Sequence, residues 1–318
     1  MAKIIRASVV QTCTSRFALN ETLDKLEHLT RLARERDGSQ LCVFPEAFIG
    51  GYPKGSTFGA VVGDRAPAGR DEFARYLNAA IEIPSPAISR IEAVSRETGV
   101  FLVVGVIERS GGTLYCTVVF ADPLKGYVGK HRKLMPTGTE RLVWGQGDGT
   151  TLPVLDKDFG TAEQPLNVKI SATICWENYM PLLRTFYYSR GTQLYCAPTV
   201  DARPEWQSTM QHIALEGRCF VLAACQYARA KDYPDEHFTS SNLGRDPLPS
   251  PDKVMIAGGS VIISPLGKIL AGPLRDAEDV LTADLDLDDI ARGKFDLDVT
   301  GHYARDDIFR LTVNASQA

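Results

Sequence analysis

Short β-branched strands alternate with amphipathic helices along the whole chain, and several strands arrive as adjacent pairs, which narrows the possible folds sharply. Residues 3–11 (KIIRASVVQ) are apolar and β-branched, and the helix after them puts Leu23, Leu26, Leu29 and Ala33 on one face before Gly38 ends it. A strand at QLCVFPE, a Gly/Pro-rich loop IGGYPKGSTFG and helices at DEFARYLNAA and PAISRIEAVSRETG follow, the last opening on Pro and closing on Gly. FLVVGVIER and TLYCTVVFAD, joined through SGG, form a hairpin. Past a loop KHRKLMPTGTERLVWGQGDG, NVKISATIC alternates Val168, Ile170, Ala172 and Ile174 and stops at Cys175; the helix PLLRTFYYSRG and strand QLYCAPT complete a β-α-β unit. The second half continues with a helix EWQSTMQHIALEGR, a strand CFVLAACQY, a polar loop over residues 231–252, strands VMIAGGSVIIS, GKILAGP and VLTADLD, and a short helix LDDIARGKF. Hairpins mixed with β-α-β crossovers predict a layered α/β fold with mixed sheets. A length of 318 residues allows two domains, but no low-complexity linker divides the chain and strands resume directly after residue 252, so one domain is expected.

Charge and cysteine usage limit the partners. With 35 Lys+Arg against 39 Asp+Glu, the net charge of −4 gives no whole-surface attraction to nucleic acid or anionic lipid. No apolar run approaches the ~18 residues of a membrane span. Seven cysteines, an odd number without a C-x-x-C pair or a secretory signal, describe a reduced, cytoplasmic chain. Five histidines, none in an H-x-x-x-H pair, give no support for a metal site.

Three positions could carry chemistry. Cys175 closes a strand ahead of WENYMP, in which Pro181 suits a helix start, so its thiol is expected at a strand-to-helix turn near backbone N–H groups. Such a place lowers a thiol pKa and offers oxyanion donors; otherwise Cys175 is a small buried hydrophobe like the other six cysteines. Glu46 also ends a strand, where burial would raise its pKa and exposure would leave it a plain loop carboxylate. Lys130, His131, Arg132 and Lys133 form a cationic loop with Glu140 further on, either solvated or anion-binding. Together the three make sense: a carboxylate in water titrates ~4 pH units below a free thiol, so taking that proton unaided costs roughly 6 kcal/mol. Burying Glu46 and setting Lys133 beside the thiol narrows the gap from both sides.

These residues resemble the nitrilase superfamily of carbon-nitrogen hydrolases. VFPEAFIGGYPKG carries the family's glutamate, HRKLMPT its lysine and ICWENYMP its cysteine, in the family's order. The similarity extends through YCAPTVDARPEWQ, GGSVIISPLGKILAGP and DLDLDDIARGKFDLDVTGHYARDD to about Asp307, and CWENYMPL with HRKLMPT…ER resembles the true nitrilase branch. The resemblance implies a four-layer α-β-β-α sandwich with pseudo-twofold halves. It implies Cys175 as nucleophile, Glu46 as general base and later acid, Lys133 as stabiliser of tetrahedral intermediates, and Glu140 as the second glutamate that bonds the lysine. Trp176 would supply mainly a backbone N–H. The implied reaction turns an organic nitrile into the carboxylic acid and ammonia through a thioimidate and a thioester, with no metal or organic cofactor. Tyr52, Pro53, His131, Thr137, Trp144, Trp176, Thr199 and Val200 adjoin the catalytic segments and are expected to shape the substrate pocket. The tail from about residue 308 is short, ASQA alone following GHYARDDIFRLTVN, where many members carry an extension that supports filaments; a homodimer or larger homo-oligomer is implied. Other readings are an amidase, a carbamoylase or a cyanide-degrading enzyme on the same scaffold, a papain-like pairing of cysteine with His131 or His212, and a non-catalytic protein that keeps the fold.

Overall fold

The computed structural model describes residues 3–240 and 248–315. Strand β1 (Ile4–Gln11) leads into α1 (Leu19–Asp37), which buries Leu23, Leu26, Leu29 and Ala33. The helix stops where Gly38 takes φ +68°, a conformation that costs glycine little, its N–H capping the Arg34 carbonyl and the Ser39 N–H capping that of Ala33. Then come β2 (Leu41–Val43), a small ribbon of β3 (Ala60–Val61) and β4 (Asp64–Arg65), helices α2 (Pro67–Ala79) and α3 (Pro86–Thr98), and strands β5 (Phe101–Ser110), β6 (Thr113–Asp122) and β7 (Gly126–Arg132). The second half holds β8 (Leu155–Asp158), β9 (Asn167–Ala172), α4 (Pro181–Ser189), β10 (Leu194–Cys196), α5 (Glu205–Gly217), β11 (Phe220–Ala223), β12 (Tyr227–Arg229), α6 (His237–Ser240), β13 (Val254–Ile263) and β14 (Ile269–Arg275). β15 (Asp279–Asp286) and α7 (Asp288–Gly293) follow.

Two sheets result, in the orders β15-β1-β2-β5-β6-β7 and β12-β13-β11-β10-β9-β8, with β14 also on β13. Each has three parallel strands at its centre, β1-β2-β5 and β9-β10-β11, with antiparallel neighbours on either side. The halves therefore repeat one plan, and β15 returns to the first sheet, pairing Leu285 with Ile5.

Strand periodicity builds the layers. Ile5, Ala7 and Val9 of β1 share one core with Val168, Ile170 and Ala172 of β9, Leu194 and Cys196 of β10, and Phe220 and Leu222 of β11. That core lies between the sheets. The alternate residues point outward: Val10, Cys42, Leu102 and Val104 pack with Leu26 and Leu29 of α1 and Ile88 and Ile91 of α3. On the other side Tyr195, Val221 and Val261 pack with Tyr187 of α4 and Met210 and Ile213 of α5. At about 1.5–3 kcal/mol per large apolar side chain, these three cores hold the four layers, an α-β-β-α sandwich, together.

Several local expectations are corrected. Lys130, His131 and Arg132 lie on β7 opposite Val119, Val118 and Thr117, not in a loop. The charges are tolerated there because Glu108, buried on β5, accepts from Lys130 Nζ at 2.5 Å and Arg132 Nη2 at 2.6 Å. Residues 155–158 form a strand that the sequence did not announce, and α2 starts at Pro67, upstream of Asp71. β9 ends at Ala172, short of Cys175. Within the polar stretch from Lys231 to Asp252, His237–Ser240 make a helical turn; residues 241–247 lie outside the described residues. Among the described residues no helix is long and apolar enough to cross a membrane.

Candidate active site

Glu46 sits three residues beyond β2, fully buried, where its loop lies flat against β5. The approach needs a glycine: a Cβ on Gly105 would meet the Pro45 carbonyl oxygen at 2.1 Å and Glu46 Cα at 2.8 Å. Gln226 Nε2 donates to the Glu46 carbonyl at 2.6 Å, and the Val200 N–H donates to Glu46 Oε2 at 3.1 Å. The second sheet thus fixes a side chain that the first one delivers.

Lys133 follows β7 directly, its N–H still donating to Cys116 O at 2.8 Å. Its ammonium lies 2.7 Å from Glu46 Oε1 and 2.8 Å from Glu140 Oε2. Glu140 stands on the 3-10 turn Gly138–Leu142, where it accepts the Thr137 N–H at 2.6 Å as half of a capping box. Tyr52 OH donates to its other oxygen at 2.9 Å.

Cys175 opens the turn Cys175–Tyr179 between β9 and α4 with φ +52°, a left-handed conformation that costs a non-glycine residue on the order of 1–3 kcal/mol. The surroundings hold it there. Its N–H donates to Pro198 O at 2.9 Å, and Asn178 Nδ2 donates to its carbonyl at 2.7 Å. Thr199 Oγ1 donates to the sulfur at 3.2 Å, and the Glu46 carboxylate lies close enough for its charge to act on the thiol.

The electrostatics follow from burial and from one cation among two carboxylates. Desolvation pushes the Glu46 carboxyl up, Lys133 pulls it back and Glu140 pushes it up again, leaving it above the ordinary carboxylate range. Burial pulls Lys133 down, but Glu46 and then the neighbouring thiols and Glu140 outweigh that and hold the ammonium firmly protonated. Burial and then the Glu46 charge push the Cys175 thiol above its ordinary value, against Lys133 and the Thr199 hydroxyl. The expectation of a lowered thiol pKa is therefore corrected: the resting group is a neutral S–H beside a proton acceptor.

The thiol opens into a cavity of about 510 Å³ bounded by Tyr52, Thr137, Trp176, Val200, Met255 and Ile256. Trp176 is 41% exposed at its edge, its indole N–H donating to Asp201 Oδ2 at 2.8 Å and its ring 4.9 Å from the Arg203 guanidinium. Thr199 touches the sulfur itself. Trp144 does not line the cavity: it is buried behind Lys133, 5.5 Å from Nζ, stacked edge-on to Tyr52 and bonded to Tyr76 OH at 3.2 Å. Pro53 borders a neighbouring cavity with Phe17 and Phe58. His131 is also displaced from the expected pocket, because both ring nitrogens are taken up in the interior, Nδ1 by Thr151 O at 2.7 Å and Nε2 by Glu177 Oε2 at 2.8 Å. His212 is exposed on α5 beside Glu216, so no papain-like pair with Cys175 is assembled.

Other contributors carry little mark in the sequence. Cys116 reads there as one more core cysteine, yet its thiol points to Glu46 Oε1 at 3.5 Å. Glu177 and Asn178 are legible only as neighbours in the WENY run, and Gln226 carries no signal at all. Among the described residues no three His, Cys, Asp or Glu side chains are grouped to hold a metal ion.

Residues 6–295 match the family described as Carbon-nitrogen hydrolase. An arylacetonitrilase of Trametes versicolor (strain FP-101664) is 71% identical over 321 residues, covering 100% of this chain and 99% of that protein. A bifunctional nitrilase/nitrile hydratase of Oryza sativa subsp. japonica is 54% identical over 318 residues, covering 98% and 85%. Among solved structures, an amidase from Nesterenkonia sp. superposes with a TM-score of 0.64 at 22% identity over 90% of this chain and 92% of that one, which shows a common fold. A family match over nearly the whole length, with relatives this similar from end to end, means that the chain belongs to the carbon-nitrogen hydrolase family.

Proposed function

We propose that this chain hydrolyses organic nitriles to carboxylic acids and ammonia, and that arylacetonitriles, with the nitrile carbon one methylene from an aromatic ring, are its preferred class. The observation that carries the reading is the thiol of Cys175, fixed in a left-handed turn, bonded by Thr199 and set beside the charge of a carboxylate that also holds Lys133. The names of the relatives, an arylacetonitrilase among them, support it, as does an apolar cavity wall of Val200, Met255 and Ile256.

In this reading Glu46 takes the proton of Cys175 as sulfur attacks R–C≡N and passes it to nitrogen, giving a thioimidate. Glu46 then activates water, and the carbon that results bears oxygen, nitrogen and sulfur. Lys133 spends two N–H donors on Glu46 and Glu140, which leaves its third for this tetrahedral species. The Trp176 N–H, next after the thiol in the turn, is a second donor. Protonated nitrogen leaves as ammonia, and a second water releases the acid from the thioester and restores the thiol. If the C–S bond breaks instead, sulfur recovers its proton and the product is an amide. Residues 1–318 act as one unit, since Glu46 and Lys133 come from one sheet and Cys175 and Thr199 from the other. A homo-oligomer in a reducing, cytoplasmic setting completes the reading.

The test is ammonia release from phenylacetonitrile, benzonitrile, an aliphatic nitrile and cyanide, each organic nitrile beside its amide. Fastest turnover of phenylacetonitrile is expected. Faster turnover of the amides would assign the site to amide hydrolysis.

A further inference from the structure

Glu177 lies two residues after Cys175 and is buried. Its carboxylate is met from three directions: Oε1 accepts the Leu134 N–H at 2.6 Å, Oε2 accepts the Ile174 N–H at 2.7 Å, and His131 Nε2 stands 2.8 Å from Oε2. Leu134 directly follows Lys133, and Ile174 directly precedes Cys175. One carboxylate therefore ties the segment that carries the ammonium, from the first sheet, to the turn that carries the thiol, from the second.

The charge state of the pair follows from its partners. His131 Nδ1 faces the Thr151 carbonyl at 2.7 Å, which can only accept, so Nδ1 carries a hydrogen. Nε2 faces a carboxylate both of whose oxygens already accept a backbone N–H, so it carries one too. His131 is thus an imidazolium, and although burial opposes that, Glu177 and the Thr151 carbonyl hold the ring protonated above its ordinary range.

We infer that Glu177 and His131 are positioning residues, a buried ion pair that sets the place of Lys133 and its bound Glu46 relative to Cys175. A buried pair is weak evidence for a stabilising role, since well-packed apolar groups often serve as well. What apolar groups could not supply is the pair of backbone bonds on the residues flanking lysine and cysteine.

This role rests on the nitrile reading, and it bears on the product ratio. Ammonia leaves only if Glu46 delivers a proton to nitrogen, whereas the sulfur, the other leaving group, needs no such alignment. Displacing Lys133 and Glu46 from the tetrahedral carbon should therefore favour C–S cleavage and amide. Acid and amide from phenylacetonitrile are quantified for the full chain and for Glu177→Gln and His131→Asn, with thermal melting to follow folding. The ratio does not depend on the folded fraction, because unfolded molecules make neither product. Acid formation per folded molecule is expected to fall about 10- to 100-fold, as a misplacement of an ångström can cause, while the amide share rises several-fold. An unchanged or smaller amide share overturns the inference. Should Glu177→Gln not fold, His131→Asn, which leaves both backbone bonds of Glu177 in place, decides it. A wild-type chain that releases no ammonia from any nitrile overturns the nitrile reading instead, and so is told apart from failure of the pair.

Discussion

Lys133 Nζ lies 2.7 Å from Glu46 Oε1 with both side chains closed to solvent, and Glu140 meets the same nitrogen from another side at 2.8 Å. One cation thus compensates two carboxylates in a dry interior. Glu46→Gln keeps the shape and removes the proton acceptor, so ammonia release should fall by about 10²- to 10⁴-fold with little change in melting temperature. Lys133→Met leaves both carboxylates uncompensated, and stability in a urea titration should drop by about 3–5 kcal/mol along with activity. A Lys133→Met protein as stable and active as the wild type would contradict the arrangement.

A second prediction concerns the thiol. Burial and the Glu46 charge raise the Cys175 pKa, so its thiolate fraction at neutral pH is small and grows with pH. Iodoacetamide labelling of Cys175, followed by peptide mass, should still accelerate above the ordinary thiol value of about 8.5 instead of levelling off there. Thr199→Val removes the hydroxyl that donates to sulfur at 3.2 Å. A hydrogen bond to a charged group is worth about 1.5–3 kcal/mol, so labelling should slow roughly 10- to 100-fold. A plateau near neutral pH would show a thiolate already formed in the resting protein.

The contrast between Cys175 and His131 shows what the sequence can and cannot disclose. Cys175 is legible because an alternating strand stops before it and a proline opens a helix after it, and Glu46 because an apolar strand ends on it. Alternation likewise announces which face of β9 meets the other sheet, whereas β1 and β11 read only as apolar strands whose inward faces the packing decides. His131 looks like part of a solvated cationic run, because its partner Glu177 lies 46 residues away and only the packing of two sheets brings them together. Lys130 and Arg132 mislead for the same reason, their charges being matched by Glu108 on β5, across the intervening β6. The direction of the Cys175 pKa is hidden because it depends on burial and on the Glu46 charge, both products of tertiary structure.

The His131 pair also predicts a pH dependence of stability. Its folded pKa lies above the unfolded value, so the contribution is fully present below the unfolded value of about 6.5 and is lost as pH rises through the raised folded value. The gap in melting temperature between wild type and His131→Asn should be widest near about pH 5.5 and shrink towards about pH 9.5 in calorimetry. The comparison isolates this histidine from His237, whose pKa burial lowers and whose effect has the opposite sign. A gap that stays constant over this range would mean the ring is neutral throughout.

Substrate preference should reside partly in Trp176. Asp201 holds its indole N–H at 2.8 Å, the Arg203 guanidinium lies 4.9 Å from its ring and Tyr179 packs edge-on at 5.7 Å, so an exposed aromatic ring is kept in one orientation at the cavity edge. An aromatic pair is worth about 0.5–1.5 kcal/mol beyond the area it buries, which converts to roughly 2- to 13-fold in binding. Trp176→Ala should therefore raise KM for phenylacetonitrile within that range and leave an aliphatic nitrile of similar length nearly unchanged, while Trp176→Phe keeps most of the preference. Asp201→Ala frees the indole without removing it and should give an intermediate loss. The backbone N–H of residue 176 survives every one of these substitutions, so kcat should change less than KM. An equal loss on both nitriles, or a fall confined to kcat, would mean that Trp176 supports the turn holding Cys175 and not the substrate's ring.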